Sequence, residues 1–514
     1  MFPISNSDIN IIYRARRNRE PRFPFGITKK TFELVESQLK ELDYKGPVAL
    51  SCDDTKLFSA FRLYYDAAEE CHFLIGHADE PYKLRVADPT QIQEVLDASK
   101  HEMATKIRLW CLTLASPEVT PIIVAALPIT DKLGAVNLFP LLRRVLDGLI
   151  DHGFRVVSYA SDGTEVERKV QEMLLDLGET KQYVISNPQA RRPNTVIRYT
   201  VYRGQAICIV QDSKHALKTC RNNLFSGARL LTLGNHIAAY RRIRQILDDR
   251  GPIRKRDVEK LDRQDDNAAS RLFSSATLKH LVDHHKDDAL GEIVYLFVFG
   301  ELVDAFQNRS ISHLKRIRMV LRARYFLDTW TAYLQACQYP IHRYHLSREC
   351  LAILDIVIQS MIALVIIHRD YVDGDSPLFP WLNTTEPCEH VFGCARQVVK
   401  DFTYLDFIYM VPKLRIQLRE ATLHSHISDS KASGAGYTHT YFDFDFQGSQ
   451  LAIFAQFPSD QDILDLCPLA SQEADSLWST LGVNATQVFY RIEFLAATAK
   501  AIAAKKRSLP VPPS

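Results

Sequence analysis

The sequence predicts an α/β fold, a mixed sheet flanked by helices and interrupted by a large all-α insertion. Three observations carry this. Apolar runs that end on acids recur through the first half, at Val48–Thr55, Val156–Gly163 and Ala206–Asp212. Helical patterns alternate with them, at Leu138–Asp151 and Thr164–Leu177, as in layered α/β folds. From Leu224 to about Tyr371 strand signals vanish and one helical pattern follows another.

Composition bounds the function before any motif does. A chain of 514 residues can bury a large core and should hold two or more domains. Hydrophobic content of 46% and charged content of 24% are ordinary for a soluble globular protein. A net charge of +2 excludes a polycationic protein but leaves local basic patches open. Ten cysteines without a Cys-x-x-Cys pair spell neither a zinc finger nor a disulfide framework. The first residues lack a signal-peptide pattern, and the longest apolar run, Leu351–His368, is interrupted by Asp355 and Gln359 and reads as a buried helix. An intracellular, reducing setting with no membrane contact is expected.

In chain order, residues 1–45 form a basic arm, with Arg14, Arg16 and Arg17, that reads as a solvated leader or, alternatively, as a contact to phosphates, followed by a helix over Thr31–Leu42. Residues 46–225 form the first part of the core. Val48–Thr55 is a strand ending in Asp53 and Asp54; Ala60–Tyr65 and Cys71–Gly76 are strands around a turn. Gln91–Leu114 reads as helix and Val119–Ala126 as strand. The run Val156–Asp162 is a buried strand presenting Asp162 on a Gly turn, although an Asp there also reads as the cap of the next helix. Val196–Tyr202 and Ala206–Val210 are the next extended pair. Asp212 then opens a helix on which His215, Lys218 and Arg221 share one face.

Residues 226–383 are the helical insertion, with helices at Ile237–Asp249, Asp257–Arg263, Asn267–His285, Gly291–Asn308, Ser312–Gln338 and Ser347–His368. Arg316, Arg318, Arg322 and Arg324 make one of these markedly basic, either a solvated face or a track for a nucleic-acid backbone. Residues 384–412 open a new helix, capped by Thr384 or Thr385, that carries Glu386, Glu389 and Arg396. Residues 413–514 hold a linker over His424–Gly436, a strand over Thr438–Phe446 and a helical tail over Ala485–Ala504, without a readable role.

Acids gathered from distant strand ends are the donor set of a two-metal phosphoryl-transfer site, where ions about 3.5–4 Å apart stabilise attacking and leaving oxygens. Hard Mg²⁺ takes oxygen ligands and keeps several waters, so few carboxylates suffice.

Four segments, Cys52-Asp-Asp-Thr55, Ser161-Asp-Gly163, Asp212-Ser-Lys-His-Ala-Leu-Lys-Thr-Cys-Arg-Asn-Asn223 and Glu386-Pro-Cys-Glu-His-Val-Phe-Gly-Cys-Ala-Arg-Gln397, resemble the signatures of P-element-type DNA transposases, relatives of the hAT transposases. The resemblance covers about residues 45–410. It implies an RNase H-like fold with an Asp-Asp-Glu triad, in which a helical insertion separates the last strand from the Glu helix. On that resemblance Asp53, with Asp54 as the alternative, Asp162 and Glu389 are the catalytic metal ligands for two Mg²⁺ or Mn²⁺ ions. Glu386 falls outside the Glu-x-x-Phe spacing. Asp212, His215, Lys218 and Arg221 are supporting residues, and Arg396 a DNA contact. Members close to the P element itself use GTP in the insertion, which no Gly-x-x-x-x-Gly-Lys-Ser/Thr loop supports here. No Cys/His zinc set lies in residues 1–45, where such transposases usually begin with a zinc-binding DNA-recognition domain.

The implied function is metal-dependent DNA strand cleavage and strand transfer, in the nucleus, on transposon ends and target, by a homo-oligomer. A catalytically inactive, domesticated DNA-binding descendant is the alternative, and an RNase H-like nuclease a third reading.

Overall fold

The structure, a computed structural model, describes residues 23–423 and 452–508 apart from short stretches at 67–69, 79–80, 85–88, 98–101, 117–118, 187–190, 246–250 and 260–261. Arg14, Arg16 and Arg17, the His424–Gly436 linker and the Thr438–Phe446 strand lie outside the described residues.

The first half lays down α1 (Lys29–Glu41), β1 (Pro47–Lys56), β2 (Arg62–Asp66), β3 (Cys71–Ile75), β4 (Tyr82–Lys83), α2 (Pro89–Asp97), β5 (Lys106–Leu114) and β6 (Ile122–Ile129). It continues with α3 (Ala135–Asp151), β7 (Arg155–Ser161), α4 (Glu165–Leu175), β8 (Glu179–Ile185), β9 (Thr195–Tyr202), β10 (Gln205–Gln211) and α5 (Ser213–Phe225). Seven of these strands form one mixed sheet in the order β6-β5-β1-β7-β10-β9-β8. β1, β7 and β10 run parallel at its centre, and antiparallel pairs flank them on both sides. Parallel strands need crossovers, and α3 and α4 supply them.

Both faces of the sheet are covered. One packs Leu50, Cys52, Trp110 and Tyr159 against α1, α3 and α4. The other packs Ile107, Leu109 and Cys111 against α14 (Glu386–Val398) and α15 (Tyr404–Leu423). This two-sided burial explains a correction. Gln91–Leu114 is not one helix but α2 followed by β5, because a strand buried on both faces is continuously apolar and its period of two disappears. β8 was also missed, since exposed and half-buried residues alternate along an edge strand.

Between α5 and the 3₁₀ turn at Pro380–Leu382, the chain forms a hairpin, β11 (Leu231–Leu233) with β12 (His236–Ala238), and then only helices. These are α6 (Tyr240–Gln245), α7 (Lys255–Glu259), α8 (Asp266–Leu272), α9 (Ser275–His285), α10 (Leu290–Gln307), α11 (His313–Ala336), α12 (Ile341–Tyr344) and α13 (Arg348–Tyr371). The hairpin corrects the strand-free reading. Asn267–His285 is two helices, because the Ser274 hydroxyl caps the second by accepting from the Thr277 amide at 3.2 Å. α16 (Asp460–Thr480) and α17 (Ala485–Ser508) close the described chain, with α16 lying along α11.

α13 is long and apolar enough to cross a membrane, yet 72% of its apolar window is buried inside the protein. It lies across β9 and β10 in the largest core cluster.

The arginines of α11 turn inward. Arg316 is fully buried and donates to the carbonyls of Ala305, Asn308 and Ile311. Arg318 pairs with Glu473. Arg322 pairs with Glu301 at 2.8 Å and Glu473 at 3.3 Å, and Arg324 with Asp355 at 2.5 Å and Asp328 at 3.1 Å. As a correction, Arg316 has no surface to offer a nucleic-acid backbone, while Arg318, Arg322 and Arg324 are engaged by carboxylates. They tie α11 to α10, α13 and α16, because a helix buried on most sides must find partners for its charges inside.

Three histidines buried in this block carry a pH signature. His313 Nε2 donates to the Phe454 carbonyl at 3.0 Å, His368 Nδ1 to Leu364 at 2.8 Å, and His345 stacks on Trp330 with centroids 4.2 Å apart. Burial pushes His313 and His345 down to about 3 and His368 to about 4. All three are neutral in the fold but protonate near pH 6.5 once unfolded. Their contribution is therefore complete above pH ~6.5 and is lost as the pH falls toward 4, by up to about 1.4 kcal/mol per pH unit for each. The thermal midpoint of the full chain is expected to fall between pH 6.5 and 5, with a shallower fall in His313→Gln. A flat midpoint across that window contradicts this.

Candidate active site

Register places the first acids. Ser51 pairs with Ala160 across β1 and β7, and Gln211 with Ser161 across β10 and β7. Counting on, Asp53, Asp162 and Asp212 fall in one row at the carboxyl ends of the three parallel strands, where α/β sheets present their chemistry.

The pleat then separates Asp53 from Asp54. Ser51 Oγ lies 3.5 Å from Cys388 Sγ on α14, and Asp53, two residues on, shares that face. Asp54 faces the opposite layer. There Arg108 Nη1 donates to both its oxygens at 3.1 Å, while Arg108 Nη2 reaches Glu167 Oε1 at 2.7 Å. Burial, then the charges of Glu389, Asp54 and Asp162, push Asp53 up to about 8. Burial outweighs the Arg108 charge beside Asp54 and leaves it at about 6.

Asp162 is not the cap of α4. Thr164 has that task, its hydroxyl accepting from the Glu167 amide at 3.3 Å, and Asp162 instead accepts from the Gly163 amide at 2.5 Å. Gly163 is required by close approach rather than by a left-handed turn. A Cβ there would meet Ile353 Cδ1 of α13 at 2.9 Å and Gln211 Oε1 at 3.1 Å. Gly163→Ala is expected to destabilise by about 1–3 kcal/mol, the usual cost of overpacking, measured by urea unfolding. A loss below ~0.5 kcal/mol would contradict the contact, being no more than an ordinary surface change.

α14 brings Glu389 to the same place. Its N-terminus is fastened to β10, since Thr384 and Thr385 donate to Asp212 Oδ2 at 2.5 and 3.0 Å. Asp212 Oδ1 meanwhile caps α5, accepting from the amides of Lys214 and His215 at 2.7 and 3.2 Å. Burial alone would raise Asp212, but the His215 charge, Thr384 and Lys214 hold it well below the carboxylate range.

His215 sits between the acids, with Nε2 3.1 Å from Glu389 and Nδ1 3.6 Å from Asp162. Burial would lower its pKa, but the neighbouring carboxylates of Asp162 and Glu389 and the charge of Asp212 hold it well above the usual value. That cation in turn brings Asp162 below its ordinary value against the pull of burial. Glu386, one turn earlier on α14, pairs with Lys214.

Of the α5 face, His215 alone reaches the acids. Lys218 pairs with Asp266 at 3.0 Å, and the buried Arg221 donates to the carbonyls of Asp262, Asp265 and Asp257. These two fasten the helical block to the sheet. Arg396 is exposed and donates to Thr55 Oγ1 beside Asp53.

Sequence reasoning missed Arg108, Glu167 and Lys214. Arg108 carried a signal, being a lone charge inside the apolar run Ile107–Leu114, a position that demands a buried partner.

Asp53, Asp162 and Glu389 offer oxygen donors, with Asp53 raised by burial first and then by the charges of the other acids, and such a set fits a hard divalent cation. Among the described residues no three His, Cys, Asp or Glu side chains already stand in metal-holding geometry; the His215 imidazole lies between two of the acids.

No family model matches the sequence, and no curated protein matches it. The fold is similar to one solved in Drosophila, the P element transposase strand transfer complex. The TM-score is 0.53 at 15% identity, over 80% of this chain and 84% of that one. The chain thus has a transposase-like fold, a seven-stranded mixed sheet flanked by helices with a large helical region.

Proposed function

We propose that the chain is a DNA transposase-like polynucleotidyl transferase whose catalytic acids are Asp53, Asp162 and Glu389. The observation that carries this is His215 bridging Asp162, at a sheet-strand end, to Glu389, which follows the entire helical block in sequence. Two parts of the chain separated by a helical domain thereby meet at the row of strand-end acids.

The reaction is hydrolysis of a phosphodiester to free a 3′-hydroxyl, followed by attack of that hydroxyl on a second phosphodiester. Asp53, Asp162 and Glu389 would hold Mg²⁺ or Mn²⁺, and two such ions supply Lewis-acid stabilisation to the attacking and leaving oxygens. The chain's own groups set the stage. Asp212, clasped by Thr384 and Thr385, fixes α14 against β10. His215 lies between the Asp162 and Glu389 side chains and holds the two together. Arg396, exposed beside Thr55, is placed to meet a phosphate. DNA ends and a DNA target are the substrates, with a second copy of the chain needed to hold two ends together.

Nicking of supercoiled plasmid in Mg²⁺ or Mn²⁺ tests the reading. Metal-dependent nicking by the purified full chain is the expected result. Salt-sensitive DNA binding with no metal-dependent cutting would contradict it.

A further inference from the structure

A second feature begins where the acids end. Past Asp53 the chain leaves β1 along the seam with α14 and α15, and four contacts fix its course. Thr55 meets Arg396, and the Phe58 amide donates to the Phe402 carbonyl at 2.9 Å. Arg62 lies 3.7 Å from Asp406, and the Tyr64 ring lies tilted beside Tyr409 with centroids 6.2 Å apart. The partners advance in order along α14 and α15, so the contacts trace one continuous line away from the acids.

Solvent-facing groups on this line alternate in kind. Arg396, Arg62 and Lys413 are exposed cations. Between them Phe58 is 60% exposed and Tyr409 53% exposed, both high values for aromatic rings. Both rings stand on rigid supports. Phe58 is held by its own amide, while the next residue, Ser59, donates to the Ala104 carbonyl at 2.7 Å. Tyr409 leans on the buried Tyr64. Asp406, an acid on the line, is engaged by the Thr403 amide and hydroxyl at 2.9 and 2.7 Å as well as by Arg62. In the turn before α15, Lys400 and Asp401 cancel.

A duplex hides its base faces within the stack and has no use for upright aromatic rings. An unpaired strand offers a phosphate and a bare base face at every step, which is what interleaved cations and aromatics bind. Resting on the proposed transferase reading, we propose that this seam is a track for an unpaired DNA strand leaving the candidate site. Phe58 and Tyr409 are its stacking platforms, and Arg396, Arg62 and Lys413 its phosphate contacts.

The experiment measures fluorescence anisotropy of the full chain with a labelled mixed-sequence single strand and with the matching duplex, in EDTA so that no cleavage contributes. Phe58→Ala and Tyr409→Ala are each expected to weaken single-strand binding about tenfold, within the usual range for one stacked base, and by more than they weaken duplex binding. Phe58→Tyr retains the affinity and Phe58→Leu loses it, which separates a flat ring from mere apolar bulk. Lys413→Gln is expected to reduce the salt slope for the single strand by about 0.7, one phosphate contact. Equal losses for single strand and duplex, or no loss in either alanine variant, overturn the proposal. Because this binding needs no metal, its failure is separate from failure of the nicking test, which reports on the acids alone. Both rings are exposed, and an unchanged thermal midpoint checks that the variants are folded.

Discussion

Asp162→Ala and Glu389→Ala are each expected to lower metal-dependent nicking by on the order of 10³-fold or more, since loss of an ion's charge stabilisation removes several kcal/mol at the transition state. Both side chains are partly exposed, at 44% and 38%, and neither supports the core, so the variants should fold. The double variant should be no worse than the weaker single, because residues that act as one unit are not additive. Asp54→Asn supplies the contrast. Its carboxylate belongs to Arg108 on the other face of β1, so the variant should show a stability defect with metal dependence retained. Nicking that survives in both alanine variants removes these residues from the reaction.

Arg108→Met is expected to be the most destabilising single change in the sheet. Arg108 is 1% exposed and stands between Asp54 and Glu167, with its guanidinium 5.4 Å from the Trp110 ring centre. Removing it leaves the buried Glu167 and the half-buried Asp54 without their shared cation, and breaking a buried pair from one side costs about 3–5 kcal/mol. The sign of the remedy follows from the same geometry. Adding Glu167→Gln removes one uncompensated charge and should recover part of the loss. A cost under ~1 kcal/mol for Arg108→Met, measured by urea unfolding, would show that water reaches these acids.

The fold class was legible because its signals were local: strands ending on acids, a helical block without alternation, and a capped helix carrying Glu389. Apart from the exposed edge strand β8, what stayed hidden has a common physical cause, burial. β5 read as helix because Trp110 and Leu112 pack one way while Leu109 and Cys111 pack the other. α15 went unread because Met410, Val411, Leu414 and Leu418 keep it apolar past Pro412. The arginines of α11 looked like a basic stripe because sequence cannot show that Glu301, Asp355 and Glu473 arrive from other helices to meet them.

The site was legible to the level of residue type but not of side. Adjacent acids at 53 and 54 are equivalent in sequence, and the pleat alone assigns one to α14 and the other to Arg108. The run from Asp212 to Arg221 looked like one functional face. It is three separate fastenings, and only His215 reaches the acids, because Lys218 and Arg221 lie successively farther along α5 toward α8.

Anomalous diffraction from crystals grown with Mn²⁺ tests whether Asp53, Asp162 and Glu389 together hold divalent ions. Manganese peaks ligated by Asp53, Asp162 and Glu389 are expected, with Asp54 still on Arg108. Manganese bound through Asp54, or placed elsewhere while the Glu389–His215–Asp162 bridge stays intact, would contradict this.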